Sequence, residues 1–123
     1  MQRDTKQRGT ILKVLKIADR PLSIEEILVT TRKIIPGIGI ATVYRAIKSY
    51  LQNKKITKVN LPGCQQRYEV TSLEHNHHFW CRMCDKVFKV PGCSGKLNFN
   101  SPEGFQTELH EITLKGLCSE CSL

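Results

Sequence analysis

The apolar residues in the first half of the chain recur with the period of an α-helix, in three separate stretches. Residues 10–18 carry apolar side chains three and four positions apart, which predicts a first amphipathic helix. After Pro21, Ser23 and Glu26 have the spacing of a capping box, in which each side chain bonds the other residue's backbone N–H and so starts a second helix. The third helix has the clearest apolar face, which is formed by Val43, Ala46, Ile47, Tyr50 and Leu51.

The pattern then changes to short runs that are typical of strands. Residues 56–61 and 67–70 are separated by a turn at Pro62-Gly63, and together they predict a hairpin. Three short helices followed by a hairpin is the order of a winged-helix DNA-binding domain, which we assign to residues 1–72. Residues 73–123 are assigned to a second domain, with strands at 79–81 and 87–90 and a longer strand over 106–117. We expect at most a short helix between the last two strands, and the fold class is therefore α+β.

The charge is divided unevenly along the chain. Residues 1–58 contain 13 Lys and Arg against 4 Asp and Glu, a net charge of +9, whereas residues 59–123 contain 6 against 7, a net charge of −1. A basic half joined to a near-neutral half is typical of a nucleic-acid-binding module fused to another function. On charge alone, the alternative is a generic solvated basic surface.

Four cysteines form two Cys-x-x-Cys pairs, Cys81 with Cys84 and Cys118 with Cys121. Such pairs are typical of a closed tetrahedral zinc site that stabilises a small domain and leaves the metal no open position for catalysis. Disulfides or a redox pair are the alternatives. We expect neither, because residues 1–20 are charged, unlike a signal peptide, and no apolar run is long enough to span a membrane. Both features predict a reducing, cytoplasmic location without a membrane partner.

The segment His75-Asn76-His77-His78 adds a second group of metal-binding side chains. In an extended segment, successive side chains point to opposite sides, so His75 and His77 face one way and Asn76 and His78 the other. Two different metal sites can therefore share this segment.

These features, in this order, resemble the ferric uptake regulator (Fur) family of metal-responsive repressors. The resemblance begins with Arg3-Asp4-Thr5-Lys6-Gln7-Arg8, continues with Gly39-Ile40-Ala41-Thr42-Val43-Tyr44-Arg45, and ends with the histidine segment, both cysteine pairs and residues 110–121. It implies a homodimer in which residues 73–123 form a small zinc-containing α/β dimerisation domain. It also implies a double-stranded DNA target, an A/T-rich inverted repeat.

Contacts to DNA are expected from the third helix, because this helix enters the major groove in a winged helix. Arg45 and Lys48 can reach guanine edges or phosphates, and Tyr44 can touch a thymine methyl or the backbone. The alternative for Tyr44 is a core residue at the flank of the helix. With the N-terminal residues that the resemblance adds near the minor groove or the phosphates, the candidate DNA contacts are Arg3, Arg8, Thr42, Tyr44, Arg45 and Lys48.

The resemblance also implies a regulatory metal site at the hinge between the domains, which draws on Glu69 and His78. Two positions depart from the family pattern, because Asn76 stands where a histidine is usual and Pro21 stands where the DNA-binding domain donates one. An amide oxygen is a poor ligand for a transition metal, and proline has no side-chain ligand atom. We therefore expect the hinge site to be eroded.

A second family site, inside the dimerisation domain, is matched by His75, His77 and His110. The acidic fourth ligand of the family aligns near Lys96 and is missing, whereas Cys93 lies three positions away and can replace it. Three histidines and one cysteine make a tetrahedral site that prefers zinc. The alternative for Cys93 is a small buried hydrophobe.

The sequence thus predicts a homodimeric, metal-dependent repressor of metal-homeostasis genes. It has a structural Zn²⁺ and a second, regulatory divalent metal, for which Zn²⁺ is favoured over Fe²⁺ or Mn²⁺. An iron- or manganese-responsive regulator of the same family is the nearest alternative. A zinc-ribbon protein that binds nucleic acid constitutively is the alternative from another class. We expect no enzymatic activity and no small-molecule substrate.

Overall fold

The computed structural model describes residues 2–92 and 101–123, and the chain divides into two compact units, residues 1–72 and 73–123. The first unit contains three helices and a two-stranded hairpin, and the second contains a three-stranded sheet. The predicted α+β class is confirmed. Within these described ranges, no helix has both the length and the apolar character needed to cross a membrane.

The three predicted helices are present in the first unit. They are α1 (Gln2–Ala18), α2 (Ile24–Arg32) and α3 (Ile40–Gln52). The predicted start of the first helix at residue 10 is wrong, because a helix of good helix formers such as Gln and Lys continues to Gln2 without an apolar stripe that would reveal it. The capping box is confirmed, since Ser23 Oγ accepts the Glu26 N–H at 3.1 Å and Glu26 Oε1 accepts the Ser23 N–H at 3.2 Å.

The apolar faces of these helices meet in one core. Its helical members include Ile11, Val14, Leu15, Ile27, Val43, Ala46, Ile47 and Tyr50. The Tyr50 hydroxyl donates a 2.7 Å hydrogen bond to the Arg8 carbonyl, and burial raises the pKa of Tyr50, so the hydroxyl stays protonated as a donor. This bond joins α3 to α1. Because one face of α3 is used in the core, its opposite face is left to the solvent.

The hairpin predicted after α3 is confirmed as β1 (Ile56–Val59) and β2 (Arg67–Val70), although β1 ends before residue 61. Leu22, between α1 and α2, exchanges two backbone hydrogen bonds of 2.8 Å with Tyr68. The linker between the first two helices therefore pairs with β2 and fastens the hairpin to the helical core.

The second unit contains β3 (His77–Cys81), β4 (Val87–Val90) and β5 (Thr113–Gly116), in the spatial order β4-β3-β5. β4 is antiparallel to β3, and β5 is parallel to it. The predicted strand over 106–117 is wrong in length, because Leu109 is exposed and only residues 113–116 pair with β3. The position allowed for at most a short helix before it falls within residues 93–100, which lie outside the described ranges, and residues 101–112 contain no helix.

Candidate metal sites and nucleic-acid interface

The four paired cysteines lie together at one end of the sheet. Cys81 is the last residue of β3, and Cys84 follows in the next turn. Cys118 and Cys121 follow β5. Because β5 is parallel to β3, both cysteine pairs lie at the same end of the sheet. Their four Sγ atoms lie within 4.8 Å of one another.

The electrostatics of this cluster suit a divalent cation. Backbone N–H groups, first that of Cys84 and also that of Cys118, lower the pKa of Cys81 to about 6. Hydrogen bonding to Cys118 and burial raise the pKa of Cys121 to about 12. Four adjacent thiols cannot all ionise without a positive charge among them, and a Zn²⁺ ion supplies that charge to four thiolates. The Cys84 and Cys118 sulfurs are 3.8 Å apart, so they form no disulfide.

Three histidines form a second group. His77 is in β3, His75 precedes it by two residues on the same side, and His110 lies in the segment that leads into β5. Their ligand nitrogens lie within 4.8 Å of one another. The ring centroids are 4.5 Å apart for His75 and His77, 4.8 Å for His75 and His110, and 5.3 Å for His77 and His110.

The His77 ring is the buried member of this group, with 6% of its surface exposed. Its Nδ1 accepts the Ile112 N–H at 3.1 Å, and its Nε2 is buried with no hydrogen-bond partner among the described residues. Desolvation, followed by the neighbouring His75 and His110, lowers the pKa of His77. A neutral imidazole beside two other imidazoles suits a metal ion, because neutral imidazole is the ligand form.

The predicted hinge residues belong to neither group. Glu69 is on β2 of the first unit, and His78 is on β3 of the second. Lys89 is directly opposite His78 on β4, so an ammonium group shares a sheet face with that imidazole. Sequence reasoning missed Lys89, since only the strand register brings it to His78. Asn76 is half-buried, and Pro21 is fully buried.

Two further predicted site residues lie outside what the structure describes. Cys93, the expected fourth ligand of the histidine group, falls within residues 93–100, which are not described. Arg3 is in α1, but its side chain is not described. Both remain predictions.

The remaining candidate DNA contacts are on the first unit. Tyr44 is 54% exposed, so it does not complete the core. Arg45 is exposed, and its Nη2 donates to Thr42 Oγ1 at 3.2 Å, which orients the guanidinium along the outer face of α3. Lys48, one turn further along α3, and Arg8 on α1 are also exposed. The outer face of α3 therefore combines two cations with a phenol and a hydroxyl.

Comparison with known proteins gives consistent matches over most of the chain. The model of the ferric uptake regulator family matches residues 2–115. A ferric uptake regulation protein of Campylobacter upsaliensis is 29% identical over 123 residues, which are 96% of this chain and 79% of that protein.

Two solved structures are similar along nearly the whole chain. The Helicobacter pylori ferric uptake regulator Fur, described as having three functional metal-binding sites, is 25% identical with a TM-score of 0.68, over 96% of this chain and 81% of that one. A zinc-bound manganese uptake regulator is 25% identical with a TM-score of 0.75, over 91% of this chain and 87% of that one.

Proposed function

The chain belongs to the ferric uptake regulator family, and from this membership we propose that it is a homodimeric, zinc-responsive repressor of metal-homeostasis genes. The family is one of metal-responsive, DNA-binding transcription regulators, not enzymes. The observation that carries the proposal is the group of His75, His77 and His110, whose ligand nitrogens lie within 4.8 Å of one another, with the His77 ring buried. We assign the sensing metal to this group and a structural zinc to the four cysteines.

Zinc is the metal that this donor set favours. Imidazole suits zinc, and with Cys93 as the proposed fourth ligand the set of three nitrogens and one thiolate is of the tetrahedral kind that zinc prefers. The description of a structurally similar manganese uptake regulator as zinc-bound supports this assignment. A response to Fe²⁺ or Mn²⁺ is the alternative.

The hinge position is proposed to hold no regulatory metal. Lys89 is paired with His78 across β3 and β4, so its ammonium group shares a sheet face with the His78 imidazole and disfavours a second cation there, because like charges repel. Asn76 and Pro21 remove two of the usual ligands. Regulation is therefore proposed to depend on the three-histidine group and not on Glu69 and His78.

DNA recognition is proposed for the outer face of α3 and for the N-terminal arginines. The net charge of +9 over residues 1–58 supports attraction to phosphates. The exposed Arg45, oriented by Thr42, is suited to a bidentate contact with guanine, while Lys48, Arg3 and Arg8 are suited to phosphates or the minor groove. Tyr44 is proposed to contact a thymine methyl or the backbone.

We expect Arg45→Ala to weaken binding to the specific operator by ~1–3 kcal/mol per half-site, because a bidentate base contact is lost. Fluorescence anisotropy with operator and scrambled duplexes measures the loss. Lys86→Ala, which removes the same charge from the second unit, serves as the control and should leave the operator preference unchanged. An Arg45→Ala protein that lost affinity equally for both duplexes would show a phosphate contact instead of base recognition.

Dimerisation is proposed through the sheet of the second unit. In the order β4-β3-β5, β5 is hydrogen-bonded to a described strand on one side only, and its residues Thr113, Leu114 and Lys115 are exposed. An edge strand with unpaired backbone groups is suited to pairing with a second copy of itself. Two winged helices related by a two-fold axis match an inverted repeat, which we propose to be A/T-rich by family resemblance.

The test is to measure the DNA affinity of the purified protein, with the four-cysteine zinc in place, while the buffered free concentration of Zn²⁺, Fe²⁺ or Mn²⁺ is raised in parallel experiments. A metal that favours the DNA-competent state by ~2–3 kcal/mol raises the affinity about 30- to 150-fold, and we expect zinc to do so at the lowest free concentration. A larger effect of Fe²⁺ or Mn²⁺ would overturn the choice of metal. Affinity that no metal changes would identify a constitutive nucleic-acid-binding protein.

A further inference from the structure

The backbone engages the His77 ring from one side. The N–H of Ile112, the residue immediately before β5, donates to His77 Nδ1 at 3.1 Å, and the ring is buried with 6% of its surface exposed. The next backbone contact at this point, from His78 N to the Ile112 carbonyl, is long at 3.5 Å. The imidazole of His77 therefore holds the beginning of β5 against β3.

The chemistry of imidazole makes this hydrogen bond incompatible with metal binding by the same ring. A neutral imidazole has one N–H group and one nitrogen lone pair. Because Nδ1 accepts the Ile112 N–H, the ring proton is on Nε2. A metal at Nδ1 takes the accepting lone pair directly. A metal at Nε2 requires the ring proton to move from Nε2 to Nδ1. The new Nδ1–H would then face the Ile112 N–H, and two donors cannot form a hydrogen bond with each other.

We propose that the Ile112 N–H and the metal compete for the His77 ring, so that His77 holds the start of β5 in the metal-free protein and releases it when metal binds. The proposal rests on the proposed function, since it concerns regulation of the same three-histidine group. It makes the Ile112 amide a competitor that lowers the apparent affinity of this group for metal.

The competition for the His77 ring affects β5, the strand that is proposed to form the dimer interface. His110 lies two residues before Ile112 and is itself a member of the histidine group. Without metal, the Ile112 N–H is bonded to the His77 ring; with metal, His110 and His77 are joined through the ion instead. Occupancy of the site is thereby transmitted to the first residues of β5.

The direct test is NMR of the protein with the four-cysteine zinc retained, before and after zinc is added to the histidine group. Without the second zinc, we expect the His77 ring proton on Nε2 and a protected Ile112 amide. With zinc, we expect the Ile112 amide to exchange about fivefold faster, the effect of losing one net hydrogen bond, while the amides of residues 113–116 stay protected. Faster exchange beside a newly bound metal is the distinctive sign, because binding alone would slow exchange.

A matched pair of variants tests the competition by affinity. Ile112→Pro removes the competing N–H, whereas Ile112→Ala keeps it and truncates the side chain. We expect Ile112→Pro to bind zinc at the histidine group about fivefold more tightly than Ile112→Ala. If Ile112→Pro does not fold, the exchange measurement on the unmodified chain decides the question.

The outcomes separate this inference from the proposed function. Zinc that shifts the His75 and His110 resonances but leaves the tautomer of His77 and the exchange of Ile112 unchanged overturns the competition and leaves the metal site standing. Zinc that shifts none of the three histidines overturns the proposed metal site and the competition together.

Discussion

The Cys81→Ser variant is expected to lose the four-cysteine zinc and to unfold residues 73–123, while residues 1–72 keep their helices. Cys81 is fully buried at the end of β3, and the Cys118 N–H donates to its sulfur at 3.4 Å. The remaining three thiols cannot close the tetrahedral site. In zinc-finger peptides, structural zinc contributes ~10–16 kcal/mol of apparent binding free energy, which is folding free energy.

The two units differ in how much they depend on metal, because they differ in apolar core. The first unit buries a continuous cluster of residues from its three helices and its hairpin. Among the described residues of the second unit, those that are buried are His77, Cys81 and Val87. Two of these three are candidate metal ligands. A unit of this size with so little apolar core requires further stabilisation, and we propose that zinc at the four cysteines supplies it.

Measurements of zinc content and limited proteolysis test this prediction. Cys64→Ser is the matched control, since Cys64 lies in the turn of the hairpin of the first unit. The control should keep one zinc per chain at the cysteine cluster and a protease-resistant second unit. Cys81→Ser should lose both and should retain the far-ultraviolet circular dichroism of three helices. A Cys81→Ser protein that still resisted proteolysis beyond residue 73 would show that the second unit folds without its zinc.

Features that depend on local spacing could be predicted from the sequence. The capping box of Ser23 and Glu26, the apolar face of α3 and the hairpin over residues 56–70 each follow from residues a few positions apart. The polar start of α1 could not be predicted, because no apolar face distinguishes it from a solvated coil.

Features that depend on the pairing of distant segments could not be predicted from spacing along the chain. The parallel alignment of β5 on β3 brings Ile112 to His77, and the antiparallel register of β4 brings Lys89 to His78. A shift of one residue in the β4 register would move Lys89 to the face opposite His78, and a shift in the β5 register would move the Ile112 N–H away from His77. Their positions are therefore set by tertiary pairing, which spacing along the chain does not encode.

The His110→Ala variant is expected to lose the metal response of DNA binding while keeping the four-cysteine zinc. His110 is the member of the histidine group that comes from the segment leading into β5, whereas His75 and His77 are both at β3. Without its imidazole, a metal bound at β3 no longer connects the two segments. The ~2–3 kcal/mol by which bound metal favours the DNA-competent state is then lost, and with it the 30- to 150-fold change in DNA affinity.

His78→Ala is the matched control for this variant. It also removes one imidazole, but from β3, on the face opposite His77, where Lys89 is the neighbour. Loss of His78 should leave the metal response intact, because the hinge position is proposed to hold no regulatory metal. Equal loss of response in His78→Ala would show that the hinge site still works.

DNA affinity across a series of buffered free zinc concentrations, for the unmodified chain, His110→Ala and His78→Ala in parallel, tests the central claim most directly. We predict that the unmodified chain and His78→Ala both gain about 30- to 150-fold in affinity as zinc rises, whereas His110→Ala stays flat. An undiminished zinc response in His110→Ala would contradict the claim that the three-histidine group controls DNA binding.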